Sequence, residues 1–375
     1  LGDVYKRQIY DELNRLIREN SQTQKKTFTY EYDLGGNLVK VCEYPYTTGT
    51  LPTKPSATET GTFGQVWRDK LMKWNGVVMQ YDSIGNMTKK GNTTFTWTQG
   101  RKLESVNNGK KIRYYYDHAG NRVKKTVDNV TTEYCMAGDL LVTEKGEGRR
   151  IWYYYDSAAN PVSMRVSGKD YFYVRNLQND VIALIDDTGE TVVEYKYNSW
   201  GKILSITGSK AGTIGKINPF RYRGYYYDEE TGMYYLKNRY YDPEIRRFIS
   251  ADSYISGFNS TMCNVFCYCG NNPVSNSDPE GTFFKKIVHF LKSKWKKTKK
   301  AVAKVYNFVR EHVATFVGTE SYQTSKVDEV LVDGVVKVTQ TISTRNTSHN
   351  SEMVTVYANH VNGKSFEWGY SMDVG

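Results

Sequence analysis

The stretch that decides the fold is residues 220–281, FRYRGYYYDEETGMYYLKNRYYDPEIRRFISADSYISGFNSTMCNVFCYCGNNPVSNSDPEG. A repetitive, tyrosine-rich sequence ends there, and a lysine-rich sequence of different character follows it. We therefore interpret the part of the chain before this stretch as a container and the part after it as the contents.

The repeats become visible when the chain is aligned on its Tyr-Asp pairs and their degenerate copies. These copies begin at Tyr10, Tyr32, Tyr81, Trp97, Tyr116 and Tyr197. A spacing of about twenty residues indicates a repeat architecture in which each copy is one supersecondary unit.

Each unit has the sequence pattern of a β-hairpin. Aromatic and β-branched side chains alternate over residues 27–32, turn-forming residues occupy 33–37, and a second apolar run covers 38–41. Because a single hairpin is marginal in water, we expect the units to add edge to edge into one continuous sheet. The 32 tyrosines suit this sheet, with rings packed and hydroxyls in water. The predicted core comprises Phe28, Tyr30, Phe95, Trp97, Trp152, Tyr173, Ile182, Leu184 and Phe248.

Four short motifs follow one another near the end of the repeats. They are RYYDP at 239–243, RFISAD at 247–252, NNP at 271–273 and DPEG at 278–281. In order and spacing they resemble the repeat-associated core domain of the YD-repeat, or Rhs, family, and the resemblance covers about residues 9–281. Its motif residues are Tyr241, Asp242, Pro243, Phe248, Asn271, Asn272, Pro273, Pro279 and Gly281.

The resemblance implies a mainly β protein whose hairpins form a continuous curled sheet, a partial cocoon. We divide the chain into a repeat shell at 1–219, the core domain at 220–281 and a variable C-terminal module at 282–375. The cocoon of the family uses many more repeats, so this sheet is expected to enclose little volume.

The family resemblance also implies that the core domain cuts its own chain just after the DPEG motif. By that resemblance Asp252 and Asp278 are the proteolytic pair, Arg247 supports them, and the bond at risk is Thr282–Phe283. Two carboxylates in one site do not both ionise readily, so one serves as general acid while the other activates water.

A structural reading of the same motif competes with the catalytic one. Asp-Pro-Glu-Gly is also an ordinary turn, in which the aspartate accepts a backbone hydrogen bond and the glycine takes a positive φ. Three positions depart from the family motif: Arg246 stands for a glycine, Ser253 for a proline and Thr282 for a leucine. These departures leave open whether the core domain cleaves or is purely structural.

After Gly281 the apolar residues recur at helical spacing, which predicts a long amphipathic helix over 283–317. Its other face carries ten cations against Glu311 alone, so most of the net charge of +11 lies there. The helix could lie on an anionic membrane, grip phosphates, or expose a solvated face. The cations are Lys285, Lys286, Lys292, Lys294, Lys296, Lys297, Lys299, Lys300, Lys304 and Arg310.

Two hairpins are predicted beyond the helix, over 330–338 and 354–368, which completes a small α+β module. No nuclease or deaminase motif is recognisable in this module. By the family resemblance such a C-terminal piece is the variable effector of a polymorphic toxin, carried as cargo and paired with an immunity protein. The alternatives are a cell-surface structural or carbohydrate-binding protein without a toxin, and a membrane-active basic segment.

Other classes of site have little support in the sequence. No run approaches the eighteen apolar residues of a membrane span. Cys263, Cys267 and Cys269 lack zinc-site spacing and a nearby histidine, so we predict no metal and no cofactor, with Cys267 and Cys269 inward on a strand. The near-neutral charge of the repeats argues against nucleic acid as a partner of the shell. The family resemblance implies a secreted or cell-surface location.

Overall fold

Twenty consecutive strands form one antiparallel sheet in which every strand pairs with its neighbours in the chain. The computed structural model describes residues 7–252 and 264–282, and beyond them the strands at 285–286, 326–332, 335–341, 354–360 and 366–372. The sheet strands are β1 Arg7–Tyr10, β2 Leu16–Ser21, β3 Lys26–Tyr32, β4 Leu38–Pro45, β5 Ala57–Phe63, β6 Leu71–Trp74, β7 Val77–Tyr81, β8 Met87–Lys90, β9 Thr93–Thr98, β10 Lys102–Asn107, β11 Lys111–Tyr116, β12 Arg122–Val127, β13 Val130–Ala137, β14 Leu140–Gly146, β15 Arg149–Tyr155, β16 Pro161–Val166, β17 Lys169–Arg175, β18 Val181–Asp186, β19 Thr191–Tyr197 and β20 Ile203–Thr207.

The Tyr-Asp segments form the turns predicted from sequence, and all of them lie at one edge of the sheet. In the turn at 33–37, Asp33 Oδ1 accepts the amide of Asn37 at 2.8 Å, and Asn37 Nδ2 donates to Asp33 Oδ2 at 2.9 Å. Gly36 takes φ +77, which glycine adopts at low cost. The same five-residue closure recurs at 11–15, 82–86, 117–121, 156–160, 176–180 and 198–202. We call this edge the turn rim.

A register shift follows these turns and reverses which side chains face inward. Tyr32 pairs with Leu38 whereas Glu31 pairs with Lys40, so Val39 is skipped as a β-bulge. Equivalent shifts occur after the turns at 82–86, 117–121, 156–160, 176–180 and 198–202. Each bulge therefore breaks the strict alternation of the strand that leaves a turn.

The repeat tyrosines tie each hairpin to the preceding one. The hydroxyl of Tyr32 donates to the Leu16 carbonyl at 2.8 Å, and that of Tyr197 donates to the Val181 carbonyl at 2.8 Å. Trp97 Nε1 does the same to the Met87 carbonyl at 2.7 Å, as expected for a degenerate copy. The prediction that the tyrosine hydroxyls lie in water is wrong for these residues, because the backbone carbonyls of the neighbouring hairpin bind them.

The predicted core is confirmed in part. Five of the nine residues are buried, namely Tyr30, Phe95, Tyr173, Leu184 and Phe248, while Phe28 and Trp97 are half-buried against the core. Trp152 and Ile182 were wrongly predicted and are 40% and 36% exposed. Trp152 lies between the inward Ile151 and Tyr153, and Ile182 is the residue skipped by a bulge.

The sheet curls but does not close. Strands β1 and β20 are not paired with each other in the described part of the chain. Side chains nevertheless join its two ends, since Glu19 on β2 accepts a 2.5 Å hydrogen bond from Ser199 and the rings of Tyr30 and Trp200 lie 5.7 Å apart. The expected curled sheet is thus observed.

A second antiparallel sheet comes from the core segment and packs into the curl. Its strands are β21 Tyr226–Asp228, β22 Met233–Leu236, β23 Arg239–Asp242 and β24 Arg247–Phe248, with a short helix α1 at Ile214–Ile217 and 3-10 turns at Tyr222–Gly224 and Cys269–Asn271. Tyr234 and Tyr241 donate to the carbonyls of Gly201 and Trp200, both at 2.7 Å.

A buried ion pair also fastens this sheet to the curl. Asp228 lies 2.5 Å from Arg122 and 3.1 Å from Lys125, and it is fully buried. Four tyrosine rings surround the Arg122 guanidinium at 4.4–5.2 Å. Burial alone would raise the pKa of Asp228, but Arg122 and Lys125 lower it below its usual value.

The remaining strands belong to the C-terminal part. They are β25 Asn276–Ser277 with β26 Lys285–Lys286, β27 Lys326–Val332 with β28 Val335–Thr341, and β29 Val354–His360 with β30 Phe366–Met372, each an antiparallel pair. The last two pairs lie in the segments where the two hairpins were predicted, and the α+β module stays a prediction. The predicted helix over 283–317 lies outside the described residues except for Lys285 and Lys286, which form a strand instead.

We predict that Gly85→Ala destabilises the protein far more than Gly76→Ala. Both glycines have φ +89, so each change carries the same backbone penalty of about 1–2 kcal/mol. A Cβ at Gly85 would lie 2.8 Å from the Trp67 ring and 2.9 Å from Ala251 Cβ, whereas none of the described atoms lies within 4 Å at Gly76. Overpacking should add about 1–3 kcal/mol, measured by chemical denaturation. Equal losses of unfolding free energy in the two variants would contradict the close approach of Trp67 and Ala251 to Gly85.

We also predict that Asp228→Asn lowers the free energy of unfolding at pH 7 by about 3–5 kcal/mol, because the buried Arg122 loses its carboxylate and Lys125 keeps only Glu230. The folded pKa is lowered, so this contribution is present above the unfolded pKa of about 3.9 and is lost as pH falls through the folded pKa. The difference in unfolding free energy between wild type and Asp228→Asn should therefore decrease at acidic pH. Asp170→Asn, in a half-exposed pair with Arg165, should cost less than about 1 kcal/mol.

Candidate functional site

The two predicted aspartates meet at the end of strand β23. Asp252 follows the turn after β24, and its amide donates to the Val265 carbonyl at 2.8 Å. Asp278 opens the DPEG turn, and its amide donates to the Tyr225 hydroxyl at 2.8 Å. More than twenty residues of sequence separate the two aspartates, and the fold brings both carboxylates to the guanidinium group of one arginine.

That guanidinium belongs to Arg239. Its Nη2 lies 2.7 Å from Asp252 Oδ2 and 3.6 Å from Asp278 Oδ2. Its Nε donates to the Gly281 carbonyl and its Nη1 to the Val265 carbonyl. Burial lowers the pKa of Arg239, and Asp252 and Asp278 oppose that shift. An arginine remains charged despite such a shift, so it holds the two acids together.

The DPEG segment forms the turn that the structural reading predicts. Asp278 Oδ1 accepts the amides of Gly281 at 2.9 Å and Thr282 at 3.2 Å. Gly281 has φ +70, and a Cβ there would lie 2.7 Å from the Leu236 carbonyl oxygen. The turn therefore fixes the chain immediately before the predicted cleavage bond. Thr282 is described, whereas Phe283 lies outside the described residues.

Arg247, which the resemblance placed beside the aspartates, lies elsewhere. Its Nη2 donates to the Asp69 carbonyl at 2.6 Å, and its guanidinium lies 5.3 Å from the Phe63 ring and 5.0 Å from the Phe266 ring. Sequence reasoning missed Arg239, although it opens the RYYDP motif. The signal available was a cation at the start of a strand that continues with two tyrosines.

The motif asparagines attach the core segment to the turn rim. Asn271 Nδ2 donates to the Gly36 carbonyl at 2.7 Å and Asn272 Nδ2 to the Asn14 carbonyl at 3.0 Å. Arg223 donates to the Pro273 carbonyl. These residues are thus structural connectors between the core segment and the rim rather than parts of the aspartate pair.

The other motif residues also have structural surroundings. Asp242 accepts Lys90 Nζ at 2.5 Å and the Glu244 amide at 2.9 Å. Phe248 packs under the Arg239 guanidinium, 3.6 Å from it. Tyr241 and Pro243 are buried, and Pro279 is exposed.

Metal binding gains no support from the residues placed in the structure. Within 7–252 and 264–282, no group of three histidine, cysteine, aspartate or glutamate side chains is arranged to hold an ion. Cys269 is buried, but in a 3-10 turn rather than on the predicted strand. Cys263 lies outside the described residues. Among the helices that the structure describes, none is long and apolar enough to cross a membrane.

A long antiparallel meander with a tyrosine-rich segment docked on its turn rim defines a YD-repeat shell with its core domain. The Teneurin YD-shell family matches residues 4–274, and the chain belongs to that family.

Three named proteins are similar to most of this chain. The chain is 35% identical over 281 residues to the tRNA3(Ser)-specific nuclease WapA of Bacillus spizizenii, covering 72% of this chain and 12% of the relative. It is 26% identical over 311 residues to double-stranded DNA deaminase toxin A of Burkholderia cenocepacia, covering 72% and 20%. The crystal structure of TcdB2-TccC3-Cdc42 matches with a TM-score of 0.58 at 19% identity, over 73% of this chain and 15% of that one. The chain spans no more than a fifth of any of these three proteins.

Proposed function

We propose that this chain is part of a toxin shell that carries its own C-terminal segment as cargo and releases it by aspartyl self-cleavage after the DPEG turn. The observation that carries the release step is the contact of one buried guanidinium with both Asp252 and Asp278, next to the turn that ends at Thr282.

The cargo role is supported by the relatives. A nuclease and a deaminase toxin, whose names give unrelated chemistry, are each similar to 72% of this chain, so the two matched stretches must overlap. We therefore do not assign either activity to the stretch that the two relatives have in common. We assign the two activities to segments of the relatives outside it. By analogy, the effector of this protein lies after residue 282, and its immunity partner stays a prediction from the family resemblance.

The release step would proceed by hydrolysis of the Thr282–Phe283 bond. One carboxylate takes a proton from water, whose oxygen attacks the Thr282 carbonyl carbon, and the other gives a proton to the Phe283 nitrogen as the C–N bond breaks. Arg239 keeps the two acids adjacent and stabilises negative charge. In this scheme Arg239 takes the supporting role that the resemblance gave to Arg247.

The same scheme fits a secreted or cell-surface protein, as the family resemblance implies. The interaction of the basic 283–317 segment with anionic membranes stays a prediction from the sequence. The carbohydrate-binding alternative has no contact in the described residues that favours it.

We predict that intact-mass analysis of the purified wild-type chain shows a fragment that begins at Phe283. Asp278→Asn should abolish this fragment, because the amide oxygen still accepts the Gly281 and Thr282 amides while the acid is lost. Asp252→Asn should also abolish the fragment, because it removes the other acid. Asp186→Asn, in an exposed turn at the opposite edge of the sheet, is the matched control and should cleave normally. An uncut wild type, or a cleaving Asp278→Asn variant, would refute self-processing.

A second comparison separates the two arginines. Lysine retains the charge but loses the planar fork, so Arg239→Lys should slow fragment formation at least about tenfold, a loss of roughly 1.4 kcal/mol of barrier lowering. Arg247→Lys should leave the rate within about twofold once its folding is verified by circular dichroism, since a twofold change is well under 1 kcal/mol. The reverse ranking would return the supporting role to Arg247.

A further inference from the structure

A small cavity lies where the core segment meets the turn rim. Leu38, Phe63, Leu71 and Trp74 supply apolar walls, and Arg246 and Arg247 supply the cationic part of the lining. Its volume is about 20 Å³, which accommodates one small molecule or ion the size of water. It is separate from the aspartate pair, whose residues do not line it.

Both arginines carry a hydrogen-bond donor that has no partner among the described residues. The Nε atoms of Arg246 and Arg247 are buried and have no hydrogen-bond partner among the described residues, and their side chains are only 9% and 6% exposed. Other nitrogens of the same groups are engaged, with Arg246 Nη1 on Glu59 at 2.7 Å and Arg247 Nη2 on the Asp69 carbonyl at 2.6 Å. A buried N–H group without a hydrogen-bond acceptor destabilises the folded state.

The charge around the cavity favours an anion. No carboxylate is among the residues that line it, and burial raises the pKa of the lining Cys267 thiol to about 11, so that thiol is neutral near pH 7. Arg246 has a counterion in Glu59. Arg247 donates to the Asp69 carbonyl and forms no salt bridge among the described residues, and a buried cation without a direct counterion is unfavourable. We propose that the cavity binds a small monovalent anion of the size of chloride between the two guanidinium groups.

The backbone conformation at Arg246 is unfavourable for a residue with a side chain. Arg246 has φ +58, a region that glycine adopts at lower cost. An arginine at this position therefore needs favourable contacts to offset the strain. Glu59 supplies one, and the bound anion supplies the other. The geometry also makes Arg246→Gly a variant that keeps the backbone conformation.

The test uses the full chain in solution, with sodium gluconate replaced by sodium chloride at constant ionic strength. A ligand that binds only the folded state raises the thermal midpoint, by roughly 3 °C for each tenfold rise in chloride above its dissociation constant. We expect this shift in the wild type and its loss in Arg246→Gly. Lys237→Gly is the matched control, since Lys237 also has a positive φ, +57, and lies outside the cavity lining; it should keep the shift.

Crystals soaked in sodium bromide give an independent measurement on the unaltered chain. An anomalous bromide peak between the two guanidinium groups is the expected result. The proposal is overturned if no peak appears there and an ordered water fills the cavity, or if Arg246→Gly retains the full chloride-dependent shift.

Discussion

The rest of the structure depends on one interaction, in which an aspartate or asparagine closes seven of the described rim turns by accepting the amide four residues later. This closure places the register shift directly after the turn, so successive hairpins leave the rim in the same way. It also occupies the turn amides and leaves carbonyls such as those of Asn14 and Gly36 exposed as acceptors. The core segment then meets those carbonyls with side-chain amides.

Most of the sheet could be predicted from the sequence because its information is local. The period of the Tyr-Asp pairs, the turn residues and the alternation of apolar side chains each refer to neighbours in the chain. The bulge is also local, but it changes the phase of alternation, which is why Ile182 was placed on the wrong side. Trp152 was predicted inward although the phase of Ile151 and Tyr153 assigns it outward.

The candidate site shows where such reasoning stops. Asp252 and Asp278 were found because both stand in motifs, but the choice between Arg239 and Arg247 depends on which strand faces the DPEG turn. Arg239 is on β23 and Arg247 begins β24, and only a three-dimensional arrangement separates them. The tyrosine hydroxyls give the same lesson, because their acceptors are carbonyls thirteen to sixteen residues earlier.

The strictly sequential pairing of the strands has a consequence for the order of folding. Each hairpin needs only the preceding one, so contacts of short sequence separation can form while the chain is still being synthesised. The contact between the ends of the curl spans 180 residues, and the contacts of Asn271 and Asn272 with the rim span 235 and 258. The contacts of the two asparagines must await the core segment, which is translated immediately before the C-terminal segment. The sheet is therefore fastened just as the residues it would carry begin to emerge from the ribosome.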